Sequence, residues 1–202
     1  MFDNAGFPCY NPHSDICGGG ARVAMQFDGR EGIAMIYTHR YSSPLGEIIL
    51  AADDIGLTGL WFVENQRHMG EGLSPEAVER PSPFFDEAVR WLDIYFSGRD
   101  PGFTPPLHLT GSAFRNQVGE LLLQIPYGQA TTYGEIAQTI ARERGVGRFS
   151  SRAVGGAVGH NPISLILPCH RVLGSNGSLT GYGGGLERKV ALLKLEGIEV
   201  KA

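Results

Sequence analysis

The chain has 202 residues, a length that corresponds to one large domain or two small ones. Hydrophobic residues make up 42% and charged residues 19% of it, which excludes wholesale disorder and a long coiled coil. It contains no run of about 18 apolar residues that could span a membrane, and its formal net charge of −4 at first argues against a nucleic-acid partner.

That charge is distributed unevenly along the chain. Residues 1–107 carry 7 Arg and no Lys against 15 acidic residues, a net charge of −8. Residues 108–202 carry 7 Arg and 3 Lys against 6 acidic residues, a net charge of +4. Such asymmetry indicates an acidic half and a half that faces nucleic acid, with chance as the alternative.

Residues 1–34 are interpreted as a flexible extension, because they contain three consecutive glycines and little periodic pattern. Cys9, His13 and Cys17 could be metal ligands there, but three candidates without a fourth predict no metal site. Cys9, Cys17 and Cys169 are the three cysteines, and such a small and odd number predicts no disulfide framework. The N-terminus lacks the pattern of a secretion signal, so a cytoplasmic location is expected.

Residues 35–107 predict strands followed by one helix. The strand-forming runs are residues 37–40, 46–52 and 56–63. Residues 84–96 repeat apolar side chains at helical spacing and predict an amphipathic helix. The proline-rich residues 99–108 indicate a linker or domain boundary.

Residues 108–202 begin with three predicted helices that are joined by glycine-containing turns. Each helix has a residue suited to cap its N-terminus: Ser112 for the first, Thr132 with Glu135 for the second, and Ser150 or Ser151 for the third. This succession is typical of a helix-turn-helix module.

The third helix, over residues 152–158, is poor in hydrogen-bond donors. Gly155 and Gly156 each destabilise a helix by roughly 1 kcal/mol relative to alanine, so another feature should offset this cost. One such feature is a second backbone that approaches the helix closely at these glycines, either that of the protein itself or that of a nucleic-acid groove. A helix that reads base edges carries Asn, Gln, Arg or Lys. After Arg152 this helix has only small and apolar side chains, which favours shallow contact at any sequence, with close helix packing as an equal alternative.

A candidate nucleophile follows this helix. Residues 163–167 form an apolar run that we expect to be buried, and Pro168 ends it. Cys169, His170 and Arg171 come next. A cysteine beside a basic or cationic group has a lowered thiol pKa and a larger thiolate fraction. Cys169 is therefore predicted to be a nucleophile, the alternative being a small inert core residue.

The nucleophile needs a base, and the base needs an acid to orient it. Adjacent residues of an extended chain point to opposite faces, so His170 is expected to reach Cys169 through a bridging water. Glu196, at the end of the last predicted helix, is the candidate acid, with a solvated carboxylate as the alternative. Residues 181–186 lack the ending of a phosphate loop and are interpreted as a flexible lip that presents Tyr182 over a pocket.

Several motifs together resemble those of the 6-O-methylguanine-DNA methyltransferases. The central one is Pro-Cys-His-Arg-Val at residues 168–172, and the resemblance extends from about residue 35 to 200. The other matching segments are residues 43–46, 126–135, 152–156, 161–162, 181–185 and 195–197.

The resemblance implies an α+β fold. A ribonuclease-H-like strand and helix domain would occupy residues 35–107, and a helical, winged-helix-like (helix-turn-helix) domain for DNA binding and catalysis would occupy residues 108–202. The implied activity is that of a methylated-DNA–protein-cysteine S-methyltransferase. Such a suicide repair protein flips 6-O-alkylguanine, mainly 6-O-methylguanine, out of double-stranded DNA from the minor groove. It transfers the alkyl group irreversibly to Cys169 in a single turnover, as a monomer and with no cofactor.

The resemblance also implies roles for individual residues. His170, held by Glu196, would take the thiol proton, and Asn161 would fix the turn before the active-site strand. Arg152 would fill the vacated base stack, and Tyr133 would push on the phosphate. Further DNA contacts are implied for Arg115, Ser175, Ala153 and Gly156. The pocket for the flipped base would be lined by Tyr182, Val172, Gly183 and Ser164.

Two other functions stay open at this point. A cysteine hydrolase or acyl transferase could use Cys169 and His170, with the glycine-rich lip as its oxyanion hole. A non-catalytic damaged-DNA-binding protein is the other alternative, against which the presence of Cys169 argues. Ser164 stands where some relatives have proline, so the handling of bulky alkyl groups is expected to differ.

Overall fold

The computed structural model describes residues 35–64 and 77–199. These residues belong to one unit that comprises residues 33–202. No helix in the described ranges is long and apolar enough to cross a bilayer. The metal-ligand candidates Cys9, His13 and Cys17 lie outside the described residues.

The first half contains a four-stranded sheet with the strand order β3-β2-β1-β4. Its strands are β1 (Tyr37–Ser43), β2 (Gly46–Ala52), β3 (Leu57–Phe62) and β4 (Val78–Glu79). Neighbours among the first three strands are antiparallel, and β4 runs parallel to β1. The three predicted strands are confirmed, whereas β4 was not predicted because two residues are too few to show an alternating pattern.

Helix α1 (Pro83–Phe96) covers this sheet and confirms the predicted helix. It begins one residue earlier than predicted because Pro83 is suited to the first helical turn, where an amide proton is not needed. The buried face of α1 consists of Phe85, Ala88, Trp91, Leu92 and Tyr95. Full burial of a large apolar side chain stabilises a fold by roughly 1.5–3 kcal/mol, so this face holds the helix on the sheet.

The proline-rich segment at residues 99–108 is fastened to β3 by backbone hydrogen bonds. Leu57 donates to the carbonyl of Pro106 at 2.9 Å, and His108 donates to the carbonyl of Leu57 at 2.8 Å. The His108 ring also pairs with the carboxylate of Asp53 at 2.5 Å. The segment therefore runs along the sheet at a defined position before the second half begins.

The second half is mainly helical. Its elements are α2 (Ala113–Leu123), β5 (Thr131–Thr132), α3 (Tyr133–Glu143), α4 (Ser151–Gly159), β6 (Val172–Leu173) and α5 (Leu186–Leu195). Strands β5 and β6 pair in parallel. The predicted caps are confirmed: Ser112 and Ser150 accept backbone amide protons, and Thr132 with Glu135 forms a complete capping box. Val154 and Val158 of α4 point into the core.

Candidate active site

The backbone around Cys169 is a series of tight turns. Ile163 pairs with Leu60 of β3 in a single bridge, and Cys169–Arg171 forms one turn of 3-10 helix. The burial predicted for residues 163–167 is confirmed. The extended conformation expected for Cys169 and His170 is wrong, because local bonds such as Cys169 N–H to Leu167 C=O, 2.7 Å, satisfy the backbone without a neighbouring strand.

The side chain of Asn161 organises these turns. Its Nδ2 donates to the carbonyl of Leu167 at 2.7 Å, and its Oδ1 accepts from the amide of Ile163 at 3.0 Å. Nδ2 also lies 3.0 Å from the sulfur of Cys169. Asn161 therefore contacts the candidate nucleophile itself, a contact that the sequence interpretation did not include.

Cys169 is buried, with 7% of its surface exposed. Burial raises the pKa of its thiol, although the Asn161 side chain, the charge of Lys189 and two backbone amides favour the thiolate. The lowered pKa predicted from the sequence is therefore wrong: removal from water outweighs the neighbouring donors. At rest the sulfur carries its proton, and a base must remove it.

His170 and Glu196 form a fully buried pair, with 2.6 Å between Nε2 and Oε1. Arg171 contacts both oxygens of Glu196, from Nε at 2.7 Å and from Nη2 at 3.1 Å, and the amide of Gly128 donates to Oε2 at 3.3 Å. Burial opposes ionisation of the carboxyl group, but the hydrogen bonds and charges of His170 and Arg171 outweigh it and lower the pKa of Glu196 to about 2. Glu196 is therefore an anion that can only accept hydrogen bonds.

The anionic Glu196 determines the tautomer of His170. Burial lowers the pKa of His170 in spite of the opposing influence of Glu196, so the imidazole is neutral. Since Oε1 accepts from Nε2, the proton lies on Nε2 and the lone pair on Nδ1. Within the described residues, Nδ1 has no hydrogen-bond partner. The geometry leaves the basic nitrogen free to accept a proton.

A buried lysine, Lys189 on α5, completes the surroundings of the sulfur and was not predicted. It is fully buried, and its Nζ donates to the carbonyls of Val172 at 2.7 Å and Thr180 at 3.1 Å. Burial lowers its pKa to about 8, while Cys169 acts to raise it. The sequence offered no signal for this position, because a lysine on an amphipathic helix is usually exposed.

Three residues of the predicted base pocket, Tyr182, Val172 and Ser164, are buried. Burial and the neighbouring Cys169 raise the pKa of Tyr182 well above its usual value, against a hydrogen bond with Ser164. The interpretation of residues 181–186 as a flexible lip that presents Tyr182 over a pocket stays a prediction. A Cβ on Gly184 would lie 2.8 Å from the Tyr182 ring, so a glycine there lets the lip fold back over the phenol. Gly183 is half-buried between them.

The DNA-contact candidates lie mostly on the surface of the helical half. Arg152, Ala153 and Gly156 are exposed on α4, Arg115 is exposed on α2, and Ser175 is exposed in the turn after β6. Tyr133 is half-buried, and its hydroxyl accepts from the Thr180 hydroxyl at 3.2 Å.

The glycines of α4 were explained either by close helix packing within the protein or by contact with a nucleic-acid groove, and their surroundings bear on this choice. A Cβ on Gly155 would make ordinary contact with the ring of Tyr133 at 3.7 Å, and a Cβ on Gly156 would meet nothing within 4 Å. Protein packing therefore does not require glycine at position 156. Close approach of a nucleic-acid backbone to Gly156 stays a prediction.

Comparison with protein families gives two matches that together cover most of the chain. The ribonuclease-like domain of the 6-O-methylguanine DNA methyltransferases matches residues 36–109, and their DNA-binding domain matches residues 113–198. A methylated-DNA–protein-cysteine methyltransferase of Methanosarcina acetivorans is 43% identical over 162 residues, which are 80% of this chain and 99% of that protein. The protein of the same name from Mycobacterium tuberculosis is 43% identical and covers 80% of this chain and 93% of its own.

Solved structures show the same similarity. The crystal structure of Mycobacterium tuberculosis OGT in complex with DNA aligns with a TM-score of 0.66 at 43% identity, over 80% of this chain and 92% of that chain. The 6-O-methylguanine-DNA methyltransferase of Pyrococcus kodakaraensis aligns with a TM-score of 0.55 at 24% identity, over 81% of this chain and all of that chain, and shares the fold. These matches confirm the family and the α+β fold class predicted from the sequence.

Proposed function

Because this chain belongs to the 6-O-methylguanine DNA methyltransferase family, we propose that it repairs 6-O-alkylguanine, mainly 6-O-methylguanine, by transferring the alkyl group to Cys169. The observation that carries the proposal is the free Nδ1 of a neutral His170 whose other nitrogen is held by Glu196. A buried thiol that keeps its proton until a base removes it suits a protein that must react once, with the correct substrate.

The transfer is an in-line displacement at the alkyl carbon. The sulfur of Cys169 forms the new S–C bond while the C–O6 bond breaks, and the electron pair of that bond goes to guanine. The thiol proton passes through a water molecule to Nδ1 of His170. The imidazolium then returns this proton through solvent to the guanine anion, so charges and atoms balance.

The remaining pocket residues hold the flipped base. The raised pKa of Tyr182, caused by burial, keeps its phenol protonated at neutral pH, so that it can donate a hydrogen bond to guanine. The backbone at Val172 and Gly183 would bind the base edge, and Ser164 would line the wall beside Tyr182. We propose that Asn161 fixes the position of the Cys169 sulfur, from which its Nδ2 lies 3.0 Å away.

DNA binding is assigned to the outer face of the helical half, in the minor groove. Arg152 would replace the flipped base in the stack, and Tyr133 would press on the adjoining phosphate. Arg115, Ser175, Ala153 and Gly156 would contact the backbone and the groove. The crystal structure of the Mycobacterium tuberculosis relative in complex with DNA supports DNA binding as such, as does the net charge of +4 on residues 108–202.

The product on Cys169 is a thioether, which has no ready hydrolytic exit, so each molecule reacts once. A cysteine hydrolase would instead form a thioester and turn over repeatedly. A binding protein without catalysis would leave Cys169 unmodified. We expect the protein to act as a monomer, since the proposed chemistry uses residues of one chain alone.

The test is intact-mass spectrometry after incubation with duplex DNA that contains one 6-O-methylguanine. One methyl group should be gained per protein molecule, on Cys169, while the DNA is converted to normal guanine in equal amount. The control, Cys169→Ala, should bind the same duplex and gain no mass. Absence of the adduct, or release of many products per molecule, would refute the proposal.

A further inference from the structure

A residue of the first half reaches the proposed proton relay. Tyr95 lies on α1 and is fully buried. Its hydroxyl donates to Oε1 of Glu196 at 2.7 Å and lies 3.3 Å from Nε2 of His170. The phenol thus touches both members of the pair from a position 75 residues before His170 and 101 residues before Glu196.

Aromatic contacts hold this phenol in place. The ring of Tyr95 stacks on Trp91 with centroids 5.0 Å apart and an interplanar angle of 10°. It also meets the rings of Phe96, Tyr127 and His170 edge-on, at 5.4, 6.1 and 6.3 Å. Since such a packed ring is restricted in rotation, the hydroxyl presents a donor of fixed direction to the relay.

We propose that Tyr95 is a positioning residue for alkyl transfer: its hydroxyl orients Glu196 and His170 so that the proton of the imidazole stays on Nε2 and Nδ1 stays free. The inference deepens the proposed function and rests on it. Tyr95 acts through His170 and does not itself touch the sulfur or the base. The first half of the chain then contributes a group to the chemistry of the second.

The direction of the hydrogen bond supports this role. Burial and the charge of Glu196 raise the pKa of Tyr95 well above its usual value, so the phenol keeps its proton and donates it to the carboxylate. Oε1 then accepts from Tyr95, His170 and Arg171. A carboxylate oxygen that already accepts several hydrogen bonds is a weaker base, so it stabilises the imidazolium less and helps to keep His170 neutral, with the lone pair of Nδ1 free.

The hydroxyl is not needed for packing. Trp91 and Phe85 lie on the same buried face of α1, and a phenylalanine at position 95 would keep the stacked ring. Besides Tyr95, the titratable and charged groups around His170 are Glu196, Arg171, Lys189, Cys169 and Tyr182. In this set Tyr95 alone comes from the first half.

The first test compares Tyr95→Phe with Tyr127→Phe. Tyr127 belongs to the same aromatic cluster, but its hydroxyl donates to the main-chain carbonyl of Leu195 at 3.3 Å. In single-turnover transfer from a 6-O-methylguanine duplex, Tyr95→Phe should react about tenfold more slowly at pH 7.5. The midpoint of its pH–rate curve should move about half a unit upward, because a less saturated Glu196 raises the pKa of His170. Tyr127→Phe should match the wild type in both respects, and all three proteins should bind DNA equally.

A second measurement does not depend on transfer. In protein labelled with 15N-histidine, the His170 signals at pH 7.5 should report one neutral tautomer, with the proton on Nε2, and in Tyr95→Phe the protonation of Nδ1 should move to a pH about half a unit higher. Phe85→Leu controls for packing, since Phe85 lies on the same buried face of α1 but about 15 Å before Tyr95 along the helix, and it should lower Tm without moving the pH midpoint or the titration of Nδ1.

The outcomes separate this inference from the proposed function. Failure of wild-type protein to gain a methyl group would refute the proposed function, and the titration of the His170 nitrogens would still test the effect of Tyr95. Normal transfer by the wild type together with an unchanged pH midpoint and an unchanged titration of Nδ1 in Tyr95→Phe would overturn the role of Tyr95 alone. The role of Tyr95 would also be overturned if a smaller folded fraction of Tyr95→Phe accounted for all of its slower rate.

Discussion

The ammonium group of Lys189 donates a hydrogen bond of 2.7 Å to the main-chain carbonyl of Val172, although the lysine side chain is fully buried. The same contact fixes the strand that follows Cys169. It also brings a positive charge close enough to act on the thiol electrostatically. A buried charge without a partner is costly in free energy. The negative charge that develops on Cys169 during the reaction would offset this cost for Lys189.

Replacement of Lys189 by methionine should therefore raise the thiol pKa of Cys169 further. We expect the reaction of Cys169 with a small neutral disulfide at pH 7.5 to slow about tenfold, which corresponds to roughly one unit of pKa. In the wild type, the contribution of Lys189 should fade as the pH passes its pKa of about 8. Lys194→Met, at an exposed position of the same helix, is the control. Equal thiol reactivity in both variants would contradict this prediction.

The Glu196 carboxylate should make the fold sensitive to acid. Its pKa is about 2 in the folded protein and 4.5 ordinarily, so its stabilisation is fully present above pH 4.5 and is lost as the pH falls toward 2. The shift corresponds to about 3 kcal/mol. Urea unfolding at pH 7, 5 and 3 should show this loss in the wild type.

The variant Glu196→Gln should be less stable at pH 7 by about 3–5 kcal/mol, because Arg171 would lose its charged partner. Its stability should also fall less between pH 5 and pH 3. Glu120→Gln, at an exposed position of α2, should keep a pH dependence close to that of the wild type. Parallel curves for Glu196→Gln and the wild type would disprove the assigned role of this carboxylate in stability.

Gly156 should be needed for DNA binding and not for folding. Alanine there would meet no atom within 4 Å in the free protein, and alanine favours a helix by roughly 1 kcal/mol over glycine. Gly156→Ala should therefore raise Tm and weaken duplex binding in a fluorescence-anisotropy titration. The control is Gly147→Ala: a Cβ at this position also meets nothing within 4 Å, and Gly147 lies outside the helices. A more stable Gly156→Ala protein with undiminished DNA affinity would argue against groove contact.

Arg152 should matter for extrusion of the base from the duplex and not for folding. Its side chain is exposed, so Arg152→Ala should change the free energy of unfolding by no more than about 0.5 kcal/mol. Transfer from duplex 6-O-methylguanine should slow by an order of magnitude or more, since unstacking costs a few kcal/mol. Transfer from the free 6-O-methylguanine base should be unchanged. Equal slowing on both substrates would mean that Arg152 acts on the active site instead.

Local patterns in the sequence predicted most of the regular structure. The caps of α2, α3 and α4 were predicted because a capping bond joins residues only two or three positions apart. The strands β1 to β3 and the helix α1 were predicted because hydrophobic periodicity is a property of short windows. The expectation of extended chain at Cys169 failed because Asn161, eight residues earlier, bonds across the turns of this segment.

The sequence by itself predicted Cys169 as nucleophile with His170 as its base, and it determined the helices of the second half and, through resemblance, the family. These features depend on residue types at short spacing. Tertiary structure decided the raised pKa of the Cys169 thiol, the buried charge of Lys189 and the contact of Tyr95 with Glu196. The physical reason is that burial and hydrogen bonding depend on which distant segments pack together. No local pattern relates a tyrosine on α1 to a carboxylate 101 residues later.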